Sequence, residues 1–283
     1  MTTKTDAPSI GPAEIDFVTK LVATKIGVQL EGKDYLIESR LAPVARKLGL
    51  ADASALISKV RMGDRVAEGA VIDAMTTNET SFFRDQHPFE TLTGHIIPDL
   101  LAKRGPGSGL SIWNAACSSG QESYTLAMQL FEKFPTVAKS PRTKILSTDV
   151  SPVMVQRTKA GEYSRFEVNR GLPTSLAMKY FEQDGRQWRV KPELKAMVDA
   201  REFNLLDPMT NFVRMDLVLV RNVLIYFPRD TKRAILERIR TQVVKPDGWL
   251  MLGASESTLG IDDGFEPRRI GDSTFFCVRG ANR

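Results

Sequence analysis

The chain has 283 residues, 42% hydrophobic and 26% charged, with a formal net charge of +5. That length and composition suit a globular chain of one large or two smaller domains, and no stretch approaches the roughly 20 apolar residues of a membrane helix. Cys117 and Cys277 are far apart and His87 and His95 are the only histidines, which argues against a disulfide framework, a zinc site or other metal chemistry.

The N-terminal stretch Met1-Thr-Thr-Lys-Thr-Asp-Ala-Pro has no apolar core, so it is not a signal peptide. Residues 1–10 read as a short disordered tail and the chain as cytoplasmic, with monomer the default. From 11 to 75 the periodicity is helical. Ile15, Val18, Val22 and Ile26 share one helix face, and Ile37, Leu41, Val44 and Leu48 another. Pro43 is expected to kink or divide the second helix, and Asp52 and Asp64 are candidate N-caps of two more. These helices carry Arg40, Arg46, Lys47, Lys59, Arg61 and Arg65. Such a face is either plain solvated surface or a docking surface for an acidic partner. No run of Lys/Arg interleaves with aromatics, so nucleic acid is disfavoured as a partner.

From residue 76 to 283 strands and helices alternate, with apolar runs at 110–114, 143–148, 198–204, 216–220 and 248–253. The alternation predicts an α/β fold with a mostly parallel sheet and crossover helices. A last strand, 274–279, follows a turn at Gly271 and is expected to be antiparallel. The stretch 161–197 breaks the alternation. Asp184-Gly185 followed by Trp188 and Val190 signals a hairpin, so this stretch reads as a small inserted β-subdomain.

Residues 110–126 carry the most chemical information. The apolar strand Leu110, Ile112, Trp113 runs into small residues, Ala115 to Gly120, and then into a helix bearing Tyr124, Ala127, Met128 and Phe131. A strand, small-residue turn and helix let a nucleotide-like ligand approach the backbone at the carboxyl ends of the strands. The turn is not G-x-G-x-x-G, and Glu122 in the first helical turn would repel a pyrophosphate but hold a cation. The expected ligand is therefore S-adenosylmethionine. Asp149, ending the second strand, can accept from both ribose hydroxyls, or else cap the helix that begins at Ser151-Pro152. Glu122 can take the ammonium, or simply favour the helix dipole. Arg84 can fork to the ligand carboxylate, or be an ordinary surface arginine. After the fourth strand, Asn222 can face ligand and Tyr226 can reach toward the methyl, or pack in the core. The Asn/Asp-Pro-Pro-Tyr of many methyltransferases acting on base amino groups is missing here.

Taken together, these segments resemble the CheR family, the chemotaxis receptor glutamate methyltransferases, over nearly the whole chain. Asn78-Glu-Thr-Ser-Phe-Phe-Arg-Asp85 resembles the family's N-x-T-x-F-F-R segment, and Ala116-Cys-Ser-Ser-Gly-Gln-Glu122 its small-residue turn. The resemblance implies a Rossmann-like class I methyltransferase with a helical N-terminal domain and a small inserted antiparallel β-subdomain. It implies that Asn78, Thr80, Arg84, Glu122, Asp149, Asn204, Leu205, Arg221 and Asn222 line the cofactor site. Tyr226 and Arg84 are the candidate catalytic residues, Tyr226 from its place after the fourth strand. The resemblance also implies that Arg40, Arg46, Lys47, Lys59 and Arg61 meet the cytoplasmic, glutamate-rich helices of methyl-accepting chemotaxis receptors. The family's tether to a receptor C-terminal pentapeptide uses a longer, glycine-containing hairpin loop. Glu182 to Val190 is shorter with one glycine, which counts against tethering. A glutamate acceptor is already ionised near neutrality, since the side chain ordinarily titrates at about 4.3, so no general base is needed and the scarcity of histidine fits. A sensor that binds S-adenosylmethionine without turnover, or a methyltransferase with another acceptor, are the alternatives.

Overall fold

In a computed structural model, residues 10–30, 32, 34–105 and 107–280 are described. The chain divides into two compact units. The first runs through Thr77 and takes in Tyr226–Pro228, and the second comprises Asn78–Ile225 and Arg229–Arg283. The return of three residues from deep in the chain to the first unit has no signature in the sequence.

The first unit is built from four helices. In α1 (Pro12–Ile26) Val18, Val22 and Ile26 are buried one turn apart, and Gly27 ends the helix left-handed at φ 72°. Buried Ile37, Leu41 and Ala45 give α2 (Asp34–Lys47) its inner face. Pro43 lies inside α2 without dividing it. It is exposed, as is Ser39, whose carbonyl loses its helical donor on the solvent side, where water can replace it. Asp52 caps α3 (Ala53–Arg61) by accepting from the Ala55 N–H, and Asp64 caps α4 (Arg65–Met75) by accepting from Val66 and Ala67. Of the expected tail, residues 1–9 lie outside the described residues, whereas Ile10 is buried and belongs to the folded unit.

The second unit opens with α5 (Gln86–Thr91) and α6 (Ile97–Arg104), then β1 (Ser111–Ala115), α7 (Gln121–Lys133), the one-turn α8 (Pro135–Ala138), β2 (Lys144–Asp149) and α9 (Pro152–Ala160). Next come β3 (Glu162–Ser164), α10 (Arg165–Asn169), α11 (Thr174–Tyr180), β4 (Phe181–Asp184), β5 (Gln187–Val190) and α12 (Pro192–Lys195). The chain closes with β6 (Val198–Glu202), β7 (Met215–Val220), α13 (Arg229–Arg238), β8 (Val244–Leu252), β9 (Phe265–Ile270) and β10 (Ser273–Val278). Seven strands form one sheet in the order β6-β2-β1-β7-β8-β10-β9. Pairing is parallel from β6 through β8, while β10 is antiparallel to both β8 and β9. Every residue of β7 is buried, as expected for a strand covered on both faces. This is the sheet of a Rossmann-like class I methyltransferase. It reverses strand order between β1 and β7, which opens a crevice at their carboxyl ends.

Strand β9 is absent from the sequence reading. Its Pro267 looks like a breaker, but β9 is the sheet edge, where a missing N–H faces no partner strand. The inserted stretch forms a separate antiparallel sheet, β3-β5-β4, whose β4–β5 turn is the two residues Gly185 and Arg186. Phe82, Tyr163 and Phe181 bind that sheet to the larger unit, with Phe82 edge-on to the other two at 5.0 and 5.6 Å between ring centroids.

Candidate cofactor site

The turn after β1 is strained and tightly held. Ala116, Ser118 and Gly120 are all left-handed, at φ 54°, 51° and 90°. For alanine and serine such angles are sparsely populated and persist only where neighbours enforce them. The enforcing bonds come from three elements. The Cys117 N–H donates to the Thr148 carbonyl at 2.9 Å, and the Ser118 N–H to Asp149 Oδ2 at 2.8 Å. Thr158 of α9 donates its hydroxyl to the Ser118 carbonyl at 3.0 Å, and Tyr163 of β3 to the Ser119 carbonyl at 2.7 Å. At Gly120 a Cβ would stand 2.8 Å from Thr158 Cγ2, so both the angle and the space require glycine. Thr158 and Tyr163 are missing from the sequence-derived site, since nothing in their local pattern marks a partner some 40 residues away.

Asp149 is not the cap of α9, which is Ser151, whose hydroxyl accepts from the Met154 N–H. Asp149 is buried at the end of β2, where Oδ1 accepts from the Ser151 N–H at 2.9 Å while Oδ2 holds the turn. Asn78 joins the same turn, its carbonyl accepting from the Ser118 hydroxyl at 2.9 Å. The segment that follows carries half-buried Thr80 and Arg84 and two more left-handed residues, Phe83 (φ 49°) and Asp85 (φ 55°). Arg84 Nη1 donates to the Glu79 carbonyl at 3.1 Å.

Glu122 and Arg221 form one charged cluster. The Arg221 side chain is 1% exposed, with Nη1 donating to Glu122 Oε2 and Nη2 to Asp85 Oδ2 at 2.8 Å. Its guanidinium also lies over the Phe89 ring, 5.4 Å from the centroid. Two carboxylates around one guanidinium leave one uncompensated negative charge, with Glu122 still 12% exposed. Burial, with the Asp149 carboxylate adding to it, pushes the Cys117 thiol far above its ordinary range.

Asn204 and Leu205 follow β6. The Asn204 side chain accepts from the Leu206 N–H at 3.0 Å, and Leu205 is buried. They connect to Asp149 through the neighbouring Phe203 N–H, which donates to the Asp149 carbonyl at 3.0 Å. Asn222, one residue past Arg221, is left-handed at φ 58° and held by the Glu256 carboxylate. Tyr226 ends the 3-10 turn Leu224–Tyr226 and groups with the helical unit, where its carbonyl accepts from the Gln29 N–H at 3.2 Å. The structure thus brings Asn78, Arg84, Glu122, Asp149 and Arg221 together through shared partners, and leaves Tyr226 in the other unit.

The basic residues of the helical unit have divided fates. Arg40 donates to the carbonyls of Ala74, Met75 and Thr76, closing the α4 C-terminus. Arg61 donates to the Ala13 carbonyl and lies over the Phe17 ring, and Lys59 faces Asp64 at 3.7 Å. Arg46 and Lys47 are exposed in the last turn of α2.

Residues 78–271 match the family model described as "CheR methyltransferase, SAM binding domain". The chain belongs to the CheR methyltransferase family. The chemotaxis protein methyltransferase Cher2 of Pseudomonas putida is 40% identical over 83% of this chain and 86% of its own. The chemotaxis protein methyltransferase of Vibrio parahaemolyticus is 38% identical over 96% of this chain and 99% of its own. Among solved structures, the magnesium protoporphyrin IX methyltransferase of Synechocystis with bound S-adenosylhomocysteine shares 16% identity. It covers 72% of this chain and 90% of its own with a TM-score of 0.39, and the fold assignment rests on the sheet order instead. This CheR protein is an S-adenosylmethionine-dependent methyltransferase, and the site suits that cofactor. A net negative cluster at the first turn of α7 fits a ligand cationic at one end, and a buried carboxylate, an acceptor of hydrogen bonds, fits a diol. Between them lies a backbone turn lined by small side chains. No helix is long and apolar enough to cross a membrane among the described residues.

Proposed function

We propose that this CheR protein methylates the γ-carboxylate of glutamates in the cytoplasmic helices of chemotaxis receptors, giving glutamyl methyl esters. The observation that supports this most is the net negative cluster of Glu122 and Asp85 around Arg221, which fits a cationic cofactor, in a site that holds no histidine. Neither histidine joins the site described above, and an ionised carboxylate needs no proton removed.

S-adenosylmethionine held by these residues would supply a methyl on a sulfonium, which the acceptor carboxylate oxygen would take while sulfur kept the electron pair of the broken methyl–sulfur bond. The residues of the chain bind and orient. Asp149 accepts from the ribose hydroxyls. Glu122 offers the ammonium the oxygen that Arg221 does not take, and Arg221 acts on the site by fixing Glu122. Arg84 gives one donor to Glu79 and turns the rest of its fork to the ligand carboxylate. Asn78, Thr80, Asn204, Leu205 and Asn222 complete the lining. Alignment of this kind supplies up to about 7–11 kcal/mol in favourable intramolecular reactions.

The helical unit, in this reading, docks the receptor's acidic helices. Arg46 and Lys47 carry most of that attraction, because Arg40, Lys59 and Arg61 already have partners within their own unit. The two-residue β4–β5 turn supports receptor engagement without a pentapeptide tether.

Peptide mass mapping of receptors incubated with enzyme and cofactor tests the acceptor. Methyl increments on glutamates, lost when those glutamates are replaced by alanine, are expected. Increments on lysine, arginine or histidine would contradict the assignment.

A further inference from the structure

Glu256, four residues beyond β8, has no place in the sequence reading, yet its carboxylate gathers four backbone N–H groups. Oε2 accepts from Asn222 at 2.7 Å and Gly253 at 2.8 Å, and Oε1 from Val223 at 2.9 Å and Ile225 at 3.3 Å. An ionised carboxylate is acceptor-only, with about four lone-pair sites, so these four donors fill it. The residue it grips most closely, Asn222, is one of the few left-handed non-glycine residues, at φ 58°. Asparagine tolerates that conformation better than most non-glycine residues, and here the carboxylate's bonds to the Asn222 and Val223 N–H groups hold it there. Gly253 completes the arrangement. A Cβ there would meet Glu256 Oε2 at 2.7 Å and both the backbone and side-chain nitrogens of Asn222 at 2.9 Å. The ends of β7 and β8 therefore meet over one set of charge-assisted bonds, and Arg221 immediately precedes Asn222, the first residue of that set.

We propose that Glu256 is a positioning residue for methyl transfer. By holding Asn222 left-handed it sets the direction in which Arg221 leaves β7, and so the placement of Glu122 to which Arg221 is bonded. The inference rests on the reading that Arg221 and Asn222 belong to the cofactor site. Glu256 itself touches neither cofactor nor acceptor.

Glu256→Gln keeps the volume but turns one double acceptor into a donor facing two N–H groups. In the full-length enzyme, S-adenosylhomocysteine affinity measured by calorimetry is expected to fall at least about tenfold. The kcat at saturating S-adenosylmethionine should fall with it, while KM for receptor stays within about twofold of wild type. Asn222→Ala run in parallel separates the two readings. If Asn222→Ala loses cofactor affinity while folded Glu256→Gln keeps native affinity and kcat, Glu256 is only a structural tie and the proposal is overturned. If both variants bind like wild type, the loop is not part of the cofactor site and the proposal falls with that reading. Should Glu256→Gln not fold, amide exchange on the wild-type enzyme decides. The Asn222, Val223 and Gly253 amides are expected to exchange as slowly as those inside β8, and loop-like fast exchange would overturn the proposal.

Discussion

Glu122 and Asp149 are legible in the sequence as acidic residues at the right points of a strand–turn–helix and a strand end. Their partners are not. Arg221 lies 99 positions from Glu122, and only the pairing of β1 with β7 brings the two together. Local sequence carries the chemistry of a side chain but not what will compensate its charge. In the structure Arg221 is bonded to Glu122 and Asp85, and in the proposed role it fixes Glu122. Asp149→Ala removes a buried acceptor of two backbone N–H groups and, in the proposed role, of two ribose hydroxyls. Its S-adenosylhomocysteine affinity is expected to drop about tenfold to a hundredfold, since hydrogen bonds to charged groups contribute roughly 1.5–3 kcal/mol. Arg84→Ala is expected to fall in the same range, and unchanged calorimetric affinity in both would remove them from the site. Cys117 lies in the same turn, 3% exposed, its thiol pushed upward by burial first and the Asp149 carboxylate second. It should resist thiol-alkylating reagents near neutral pH until denaturant is added, and mass spectrometry of the native protein reads this directly.

Elements were easiest to read where their pattern was strong and hardest where one residue type misleads. The four helices of the first unit and the caps at Asp52 and Asp64 follow from periodicity and capping chemistry. Pro43 and Pro267 both look like breakers, and both are accommodated because their missing N–H faces solvent or a sheet edge. The opposite end of the sheet from the cofactor turn is tied by a network no motif announces. Asp216, 1% exposed in β7, accepts from Arg104 Nε at 2.7 Å, Lys245 Nζ at 2.8 Å and the Ser111 N–H at 2.8 Å. Arg104 also forks onto Asp247. Replacing Asp216 by alanine removes the shared partner of Lys245 and the Ser111 N–H and leaves Arg104 with Asp247, so a loss of about 3 kcal/mol is expected in urea unfolding. The Asp247 carboxyl is held below its ordinary range by the bonds from Arg104, against the opposing pull of partial burial. Because its folded value lies below its unfolded one, its contribution is full above the unfolded carboxylate range. It is lost as pH falls through the folded value. The stability gap between wild type and Asp247→Asn should therefore be widest near neutral pH and close in acid.

For the molecule as a whole, the order of separated motifs made the fold and cofactor readable. The discontinuity of the helical unit was not, because three residues, Tyr226–Pro228, carry it. The sequence names the basic residues of the helical unit but could not tell occupied guanidinia from exposed ones. Arg40 and Arg61 go to backbone carbonyls, while Arg46 and Lys47 remain at the surface. Reversing charge at Arg46 and Lys47 together is expected to raise KM for receptor severalfold, more at low ionic strength than at high, with cofactor binding intact. Steady-state kinetics across a salt series would show no change if the surface does not dock. The central claim is that methyl is carried to a carboxylate, and one assay reaches it most directly. Receptor-rich membranes are incubated with enzyme and methyl-labelled S-adenosylmethionine, then treated with mild base. A glutamyl methyl ester predicts label released as volatile methanol. Label that stays on protein after base, or no transfer despite tight cofactor binding, would contradict it.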